Sequence, residues 1–173
     1  SLKMFQSDHY KSVYFSFFLL SNALGQNPDS LKRVIGTSNL SGIEQAHINF
    51  QIAQTYYELD EYDSVLKYSD KAINTFKLLN NQNALKELLW LQSKSLKKQG
   101  FNTRLLVVHQ ELIQLLEKHT DSVGLMGAYD KMGIYYYHMG VIDSAIYYYN
   151  RAYDIGKLIN DKKALMDSYN NIS

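Results

Sequence analysis

The sequence predicts an all-α protein, a solenoid of antiparallel helix pairs, and three observations carry that prediction. The first is a period. The stretch from Tyr129 to Tyr153, YDKMGIYYYHMGVIDSAIYYYNRAY, can be laid over Asn49 to Ile73, NFQIAQTYYELDEYDSVLKYSDKAI, at an offset of 80 residues. Ala53 then meets Gly133, Tyr56 meets Tyr136, Asp63-Ser64 meets Asp143-Ser144, Tyr68 meets Tyr148 and Ala72 meets Ala152. Half of the offset lands on Ser93, and 40 residues beyond Gly133 lies Ser173, so small residues recur in one column. A second column, Ala84, Gly124 and Ala164, is followed each time by leucine. The second observation is a scarcity of helix breakers, with 1 proline and 9 glycines in 173 residues. The third is that polar turn formers separate the apolar stretches at regular intervals.

Residues 1–25 read as an apolar leader. Lys3 and Lys11 precede the apolar run Val13 to Leu20, Ala23-Leu24-Gly25 gives a small-x-small ending, and no charge occurs from Ser12 through Pro28. That is the pattern of a secretory signal peptide cleaved after Gly25. The run is short of the ~20 residues a bilayer span needs, and Asp8 departs from the pattern. The other reading is an apolar capping helix packed on the array or on a neighbouring chain. Residues 26–43 hold a short helix, Asp29 to Gly36, and a loop, Thr37 to Gly42. The array occupies 44–173, in units of about 44–83, 84–123 and 124–163 with the start of a fourth at 164–173.

Each unit divides into two helical patterns. In the third, Met126 to Met139 carries apolar residues at helical spacing, and Gly140 breaks it. Asp143 is placed to cap the second helix, Ala145 to Ile159. The first unit turns at LDEYD and the middle one at Gln99-Gly100. Between units lie Asn80-Asn81-Gln82, Thr120-Asp121-Ser122 and Asn160-Asp161-Lys162. The last stretch, ALMDSYNNIS, opens a fourth first-helix in which Tyr169 matches Tyr129 and Ser173 matches Gly133. A solenoid end carries a polar cap and this one does not, so the expectation is a piece of a longer protein.

Composition narrows the function. The 18 Lys+Arg and 17 Asp+Glu leave a net charge of +1, which gives no general reason for a nucleic-acid or acidic-membrane partner. Without cysteine there are no disulfides or thiolate metal sites. The histidines at 9, 47, 109, 119 and 138 show no metal-ligand spacing. Asp60, Glu61 and Asp63 sit at a helix–helix turn, where carboxylates cap the helix beyond it. Gly124 to Gly127 lacks the lysine and preceding strand of a phosphate loop. No enzyme, cofactor or metal is expected.

At Gly133, Tyr136, Gly140, Ala145 and Ala152 the chain resembles the tetratricopeptide repeat: a small residue within the first helix, an aromatic three positions on, a turn glycine, then small residues early and late in the second helix. The first unit fits at Ala53, Tyr56, Tyr62 and Ala72, with Asp60 at the turn and Val65 at the early small position. The second keeps Ser93 and Gly100 but has Leu105 and Leu112 in place of small residues. The resemblance implies a right-handed superhelix, in units six residues longer than the usual 34, and a binding role. In wording, the chain looks like the sensor region of bacterial regulators in which repeats precede a membrane span and a kinase or DNA-binding part. That implies an exported module, periplasmic or membrane-attached, the alternative location being cytoplasmic. Tetratricopeptide-like arrays bind extended peptides or helices on the face lined by their first helices. Carried over position by position, that face holds His47, Phe50, Gln54, Tyr57 and Glu58, then Glu87, Trp90, Lys94, Lys97 and Lys98, then Asp130, Ile134, Tyr137 and His138. Phe50, Tyr57, Trp90 and Tyr137 are the apolar anchors, and the lysines form a basic spot for an acidic segment or free carboxylate. A self-associating scaffold, joined through the apolar N-terminus or the open C-terminal end, is the alternative.

Tyrosine is abundant, 15 of 173, and two YYY triplets stand twelve residues apart at 135–137 and 147–149. The plainer reading is that most of these rings fill the gaps left by alanine and glycine. Tyr137 and Tyr147 are the candidates for exposure.

Overall fold

The computed structural model describes residues 27–100, 103–161 and 166. The leader-like segment 1–25 and nearly all of the fourth unit's start lie outside them. Among the described residues there are seven α-helices and no strand: α1 Pro28–Thr37, α2 Gly42–Glu58, α3 Tyr62–Leu78, α4 Gln82–Gln99, α5 Thr103–Lys118, α6 Ser122–His138 and α7 Ile142–Leu158. Each helix packs on the next, and α2 also reaches α4, so first-helices neighbour one another across units. At the N-terminal end of the described residues, α1 buries Leu31 beside Ile48, Ile52, Tyr56 and Val65.

The helices start and stop for local reasons. Asn27 caps α1 by accepting from Asp29 N at 2.9 Å, with Pro28 in the first turn. Ser41 and Glu44 form a capping box on α2. Chain reversals occur at residues of positive φ: Asp60 (58°), Asn80 (52°), Gly100 (109°), Thr120 (54°), Gly140 (72°) and Asn160 (57°). They fall every twenty residues. At five of them the same two hydrogen bonds close the helix: Glu61 N to Tyr56 O, Asn81 N to Phe76 O, Asp121 N to Leu116 O, Val141 N to Tyr136 O and Asp161 N to Gly156 O are the longer-range ones, at 2.9–3.1 Å. This is the Schellman ending. At the sixth, Gly100 N bonds back to Lys97 O at 3.2 Å.

Thr120 is the misfit in that series, a β-branched residue in left-handed backbone. Its counterparts forty residues away are Asn80 and Asn160. Thr120→Asn is expected to stabilise the fold by about 0.5–1 kcal/mol, because asparagine tolerates that conformation. The urea midpoint should rise with an unchanged m-value.

The acidic turn residues do not cap by hydrogen bond. The N-caps of α3 and α7 are Glu61 and Val141, neither with a side-chain cap. Asp143 therefore lies inside the first turn of α7, where its charge favours the helix dipole without accepting a capping N–H. Asp60 takes the left-handed position and accepts from the Tyr62 hydroxyl. Asp63 accepts from Gln99 Nε2 at 2.6 Å. Side-chain caps belong to the turns between units instead: Asn81 accepts from Ala84 N at 3.2 Å and Asp121 from Gly124 N at 2.9 Å. Asp121 also meets Lys86 Nζ at 2.8 Å, tying α4 to α6; that ammonium, then the Gly124 N–H, hold its carboxyl below the usual range.

The small-residue column lies at helix crossings. Ala53 is 0 % and Ser93 3 % exposed, and Gly133 is buried. Sixteen residues on, in the second helix of each unit, stand Ser69, His109 and Tyr149, also buried. Ser93 Oγ lies 2.6 Å from His109 Nε2. A Cβ on Gly133 would lie 2.5 Å from Cδ1 of Tyr149 and overlap its Cε1. The larger residue is always on the second helix, and glycine faces the largest. At Gly124 a Cβ would come within 2.7 Å of Leu116 Cδ2, so this member of the second column lies at the contact between the second and third units. In the middle unit, Leu105 and Leu112 are fully buried. Their bulk gives α4 and α5 fewer close backbone approaches than the pairs α2–α3 and α6–α7 have.

The tyrosines conform to this packing. Tyr129, Tyr135 and Tyr149 are 4 % exposed. Tyr136 and Tyr148 stack at 5.4 Å and 4°. Tyr129 donates to Glu117 at 2.7 Å and accepts from Arg151 at 3.2 Å. Tyr137 and Tyr147 are 60 % and 56 % exposed.

Candidate functional site

The face formed by the first-helices α2, α4 and α6 is built by spacing alone. Residues three and four apart share one side of a helix, so Trp90, Lys94 and Lys97 line up on α4, and Asp130, Ile134, Tyr137 and His138 on α6. Trp90 is half-buried and rests against the main core. Its ring nears α6 where Gly127 leaves room, a Cβ there standing 3.9 Å from Trp90 Cη2. Lys131 Nζ sits 5.7 Å from the Trp90 ring, within cation–π reach.

Beside Trp90 the helices enclose a cavity of about 30 Å³. α4 contributes Ser93, Lys94 and Lys97, α5 contributes Leu105 and His109, and α6 contributes Lys131 and Ile134. Lys94 and Lys97 are exposed and Lys131 half-buried. Among the described residues none of these three ammonium groups has a carboxylate within 4.0 Å. The His109 imidazole is pushed down to about 4, by burial first and then by Lys131 and Lys97.

Of the residues expected on this face, Lys94, Lys97 and Ile134 surround one cavity, and Trp90 joins them through Lys131. Phe50 is half-buried against the main core. Gln54 is exposed, and Tyr57 packs on the first unit's core and edge-on to Tyr62 at 6.0 Å. Asp130 is half-buried and its charge acts on Tyr149. Tyr137 and His138 are exposed at the end of α6, their rings 6.0 Å apart. None of these last six lines the cavity. Ser93, His109 and Lys131 are additions that the sequence pattern does not place at the site. The only sequence signal for His109 is its place forty residues from Ser69 and Tyr149, opposite the small column.

A second cationic cluster lies apart from this face. The ammonium groups of Lys32, Lys67 and Lys71 stand 5.9, 5.7 and 4.9 Å from the Tyr68 ring. Lys32 also bonds to the Tyr56 hydroxyl and to Asp29, contacts that raise its pKa. Lys32, Tyr68 and Lys71 edge an open cleft of about 470 Å³ between α1, α2 and α3. Among the described residues no three His, Asp or Glu side chains form a metal-sized group. No described helix is long and apolar enough to cross a membrane.

No protein-family model matches the chain, and no curated protein matches it. Solved structures do. The apo form of RapI superposes with a TM-score of 0.72 at 12% identity, over 95% of this chain and 61% of its own. Aspartyl phosphate phosphatase F from Bacillus subtilis gives 0.68 at 16%, over 93% of this chain and 40% of its own. A Rap protein complexed with competence and sporulation factor gives 0.57 at 17%, over 82% and 42%. The chain thus spans about three fifths of RapI's length. At these identities the similarity is one of fold, and it places this chain among the tetratricopeptide-like helical-repeat architectures.

Proposed function

We propose that this chain is a protein- or peptide-binding repeat module that takes an acidic segment along the face of α2, α4 and α6. The observation that carries this is the group of three lysines that have no carboxylate partner among the described residues, around a cavity beside the single tryptophan. Unneutralised cations next to a half-buried aromatic supply the two features of an interface hot spot, an apolar anchor and charge that steers a partner of opposite sign. The similar Rap protein solved with competence and sporulation factor supports the reading. The leader-like segment 1–25 and the repeat wording support a finer version, in which the module is the exported sensory or interaction part of a larger bacterial signalling or transcription regulator. Binding, not catalysis, is the activity assigned.

A library of acidic and neutral peptides, screened by isothermal titration calorimetry, tests it. Acidic members should bind, and Trp90→Ala should weaken them by about 2 kcal/mol, roughly 30-fold in Kd. Lys94→Glu with Lys97→Glu should weaken acidic peptides and spare neutral ones. An affinity untouched by Trp90→Ala would remove the groove.

One observation favours the self-associating scaffold as a second reading. Met139, Val141, Ile142, Ile146 and Tyr147, around the α6–α7 turn, are all exposed. Light scattering over a dilution series separates the two, since assembly without added peptide belongs to the scaffold.

A further inference from the structure

His109 is 2 % exposed, and while Ser93 Oγ lies 2.6 Å from its Nε2, its buried Nδ1 has no hydrogen-bond partner among the described residues. Such an atom loses its water without replacement, so a ligand group that reached it would gain a full hydrogen bond. The imidazole lines the small cavity beside Trp90, whose volume suits a water or two, or one carboxylate head. The charged groups around it are Lys94 and Lys97 from α4 and Lys131 from α6, all donors. A neutral imidazole carries one N–H. The 2.6 Å contact with Ser93 fits either tautomer; in the one where the hydroxyl donates to Nε2, the hydrogen sits on Nδ1 and every polar group left over in the cavity is a donor. The missing partner is an acceptor bearing negative charge.

We infer that His109 Nδ1–H, Lys97 and Lys131 form a subsite for one carboxylate of an acidic residue in the bound peptide. The inference rests on the peptide-binding reading of this face and sharpens it to one acceptor group. Occupancy neutralises the two lysines that disfavour a charged imidazole, so it also raises the proton affinity of His109.

The test needs no known peptide. Nitrogen-15 NMR of the histidine side chains at pH 6 is recorded while sodium acetate replaces sodium chloride at constant ionic strength. Acetate should shift the His109 Nδ1–H signal saturably and raise the His109 titration midpoint by about one unit or more. Lys97→Gln and Lys131→Gln, both on the surface side of the cavity, should each weaken the acetate effect severalfold. N-acetylglutamate amide and N-acetylalanine with a free carboxylate separate a side-chain from a chain-terminal source: saturation by either supports the subsite, and the tighter one names the source. His109 signals indifferent to acetate, a proton on Nε2 instead of Nδ1, or an acetate shift that survives both lysine substitutions would overturn it. Failure of the peptide screen alongside an intact acetate response would remove the peptide and keep the subsite.

Discussion

Gly133→Leu is expected to destabilise the fold by about 1–3 kcal/mol, the usual cost of forcing bulk into a packed core. The Tyr149 ring lies close against α6 at this point, so that even a Cβ would stand 2.5 Å from its Cδ1. Tyr149 is 4 % exposed and has no solvent side to retreat to, so the ring or the helix must move. Glycine within a helix is itself unfavourable by roughly 0.5–1 kcal/mol against alanine, which makes Gly127→Ala the control. There a Cβ has 3.9 Å of room beside Trp90, and the substitution should stabilise by about that amount. The first unit solves the same crossing with Ala53 and Ser69, both 0 % exposed. Gly133→Ala should therefore cost less in a Tyr149→Ser background than alone, a coupling that a double-mutant cycle reads directly. Urea midpoints for the single variants decide the matter: a Gly133→Leu midpoint equal to that of the native chain would mean that this crossing does not hold α6 to α7.

Half of that crossing is legible in the sequence. Recurrence exposes Ala53, Ser93 and Gly133 because smallness is a shared property and survives comparison between units. Their partners Ser69, His109 and Tyr149 share nothing but position, and only a knowledge of which helix faces which pairs them. The turns show the same division. The polar connectors announce where the chain reverses, yet the left-handed residues, spaced by twenty, are Asp, Asn, Thr and Gly, and composition alone does not select them. Asp143 reads as a cap because a carboxylate before a helix commonly is one; the Schellman ending at Gly140 starts α7 earlier and draws that carboxylate inside its first turn. On the candidate face, helical spacing on α4 puts Lys94 and Lys97 beside Trp90. It does not supply Lys131, whose approach to Trp90 depends on the register between α4 and α6, nor His109, which reaches the cavity from a second helix.

Stability should fall as pH drops from about 6.5 toward 4, and His109 is the group expected to contribute most. In the unfolded chain its imidazole titrates near the ordinary value of about 6.5. In the fold, burial and the neighbouring Lys131 and Lys97 push it down to about 4. Above pH 6.5 both states carry a neutral ring and the difference contributes nothing against folding. Between the two values the unfolded chain binds a proton that the folded chain refuses, which favours unfolding by about 1.4 kcal/mol per pH unit. The loss thus amounts to roughly 3 kcal/mol by pH 4 and about 2 kcal/mol by pH 5. His47, also lowered by burial, acts in the same direction. Asp121 acts later: its depressed carboxyl loses its contribution only as pH falls further, through its folded value. The comparison is therefore made against His109→Gln, which retains a hydrogen-bonding group for Ser93 and removes only this titration. Between pH 7 and 5 the native chain's urea midpoint should fall by more than the variant's, the gap equivalent to about 2 kcal/mol. Parallel curves would mean that the imidazole accepts its proton as readily inside the array as outside it, and that the cavity between α4, α5 and α6 is already wet.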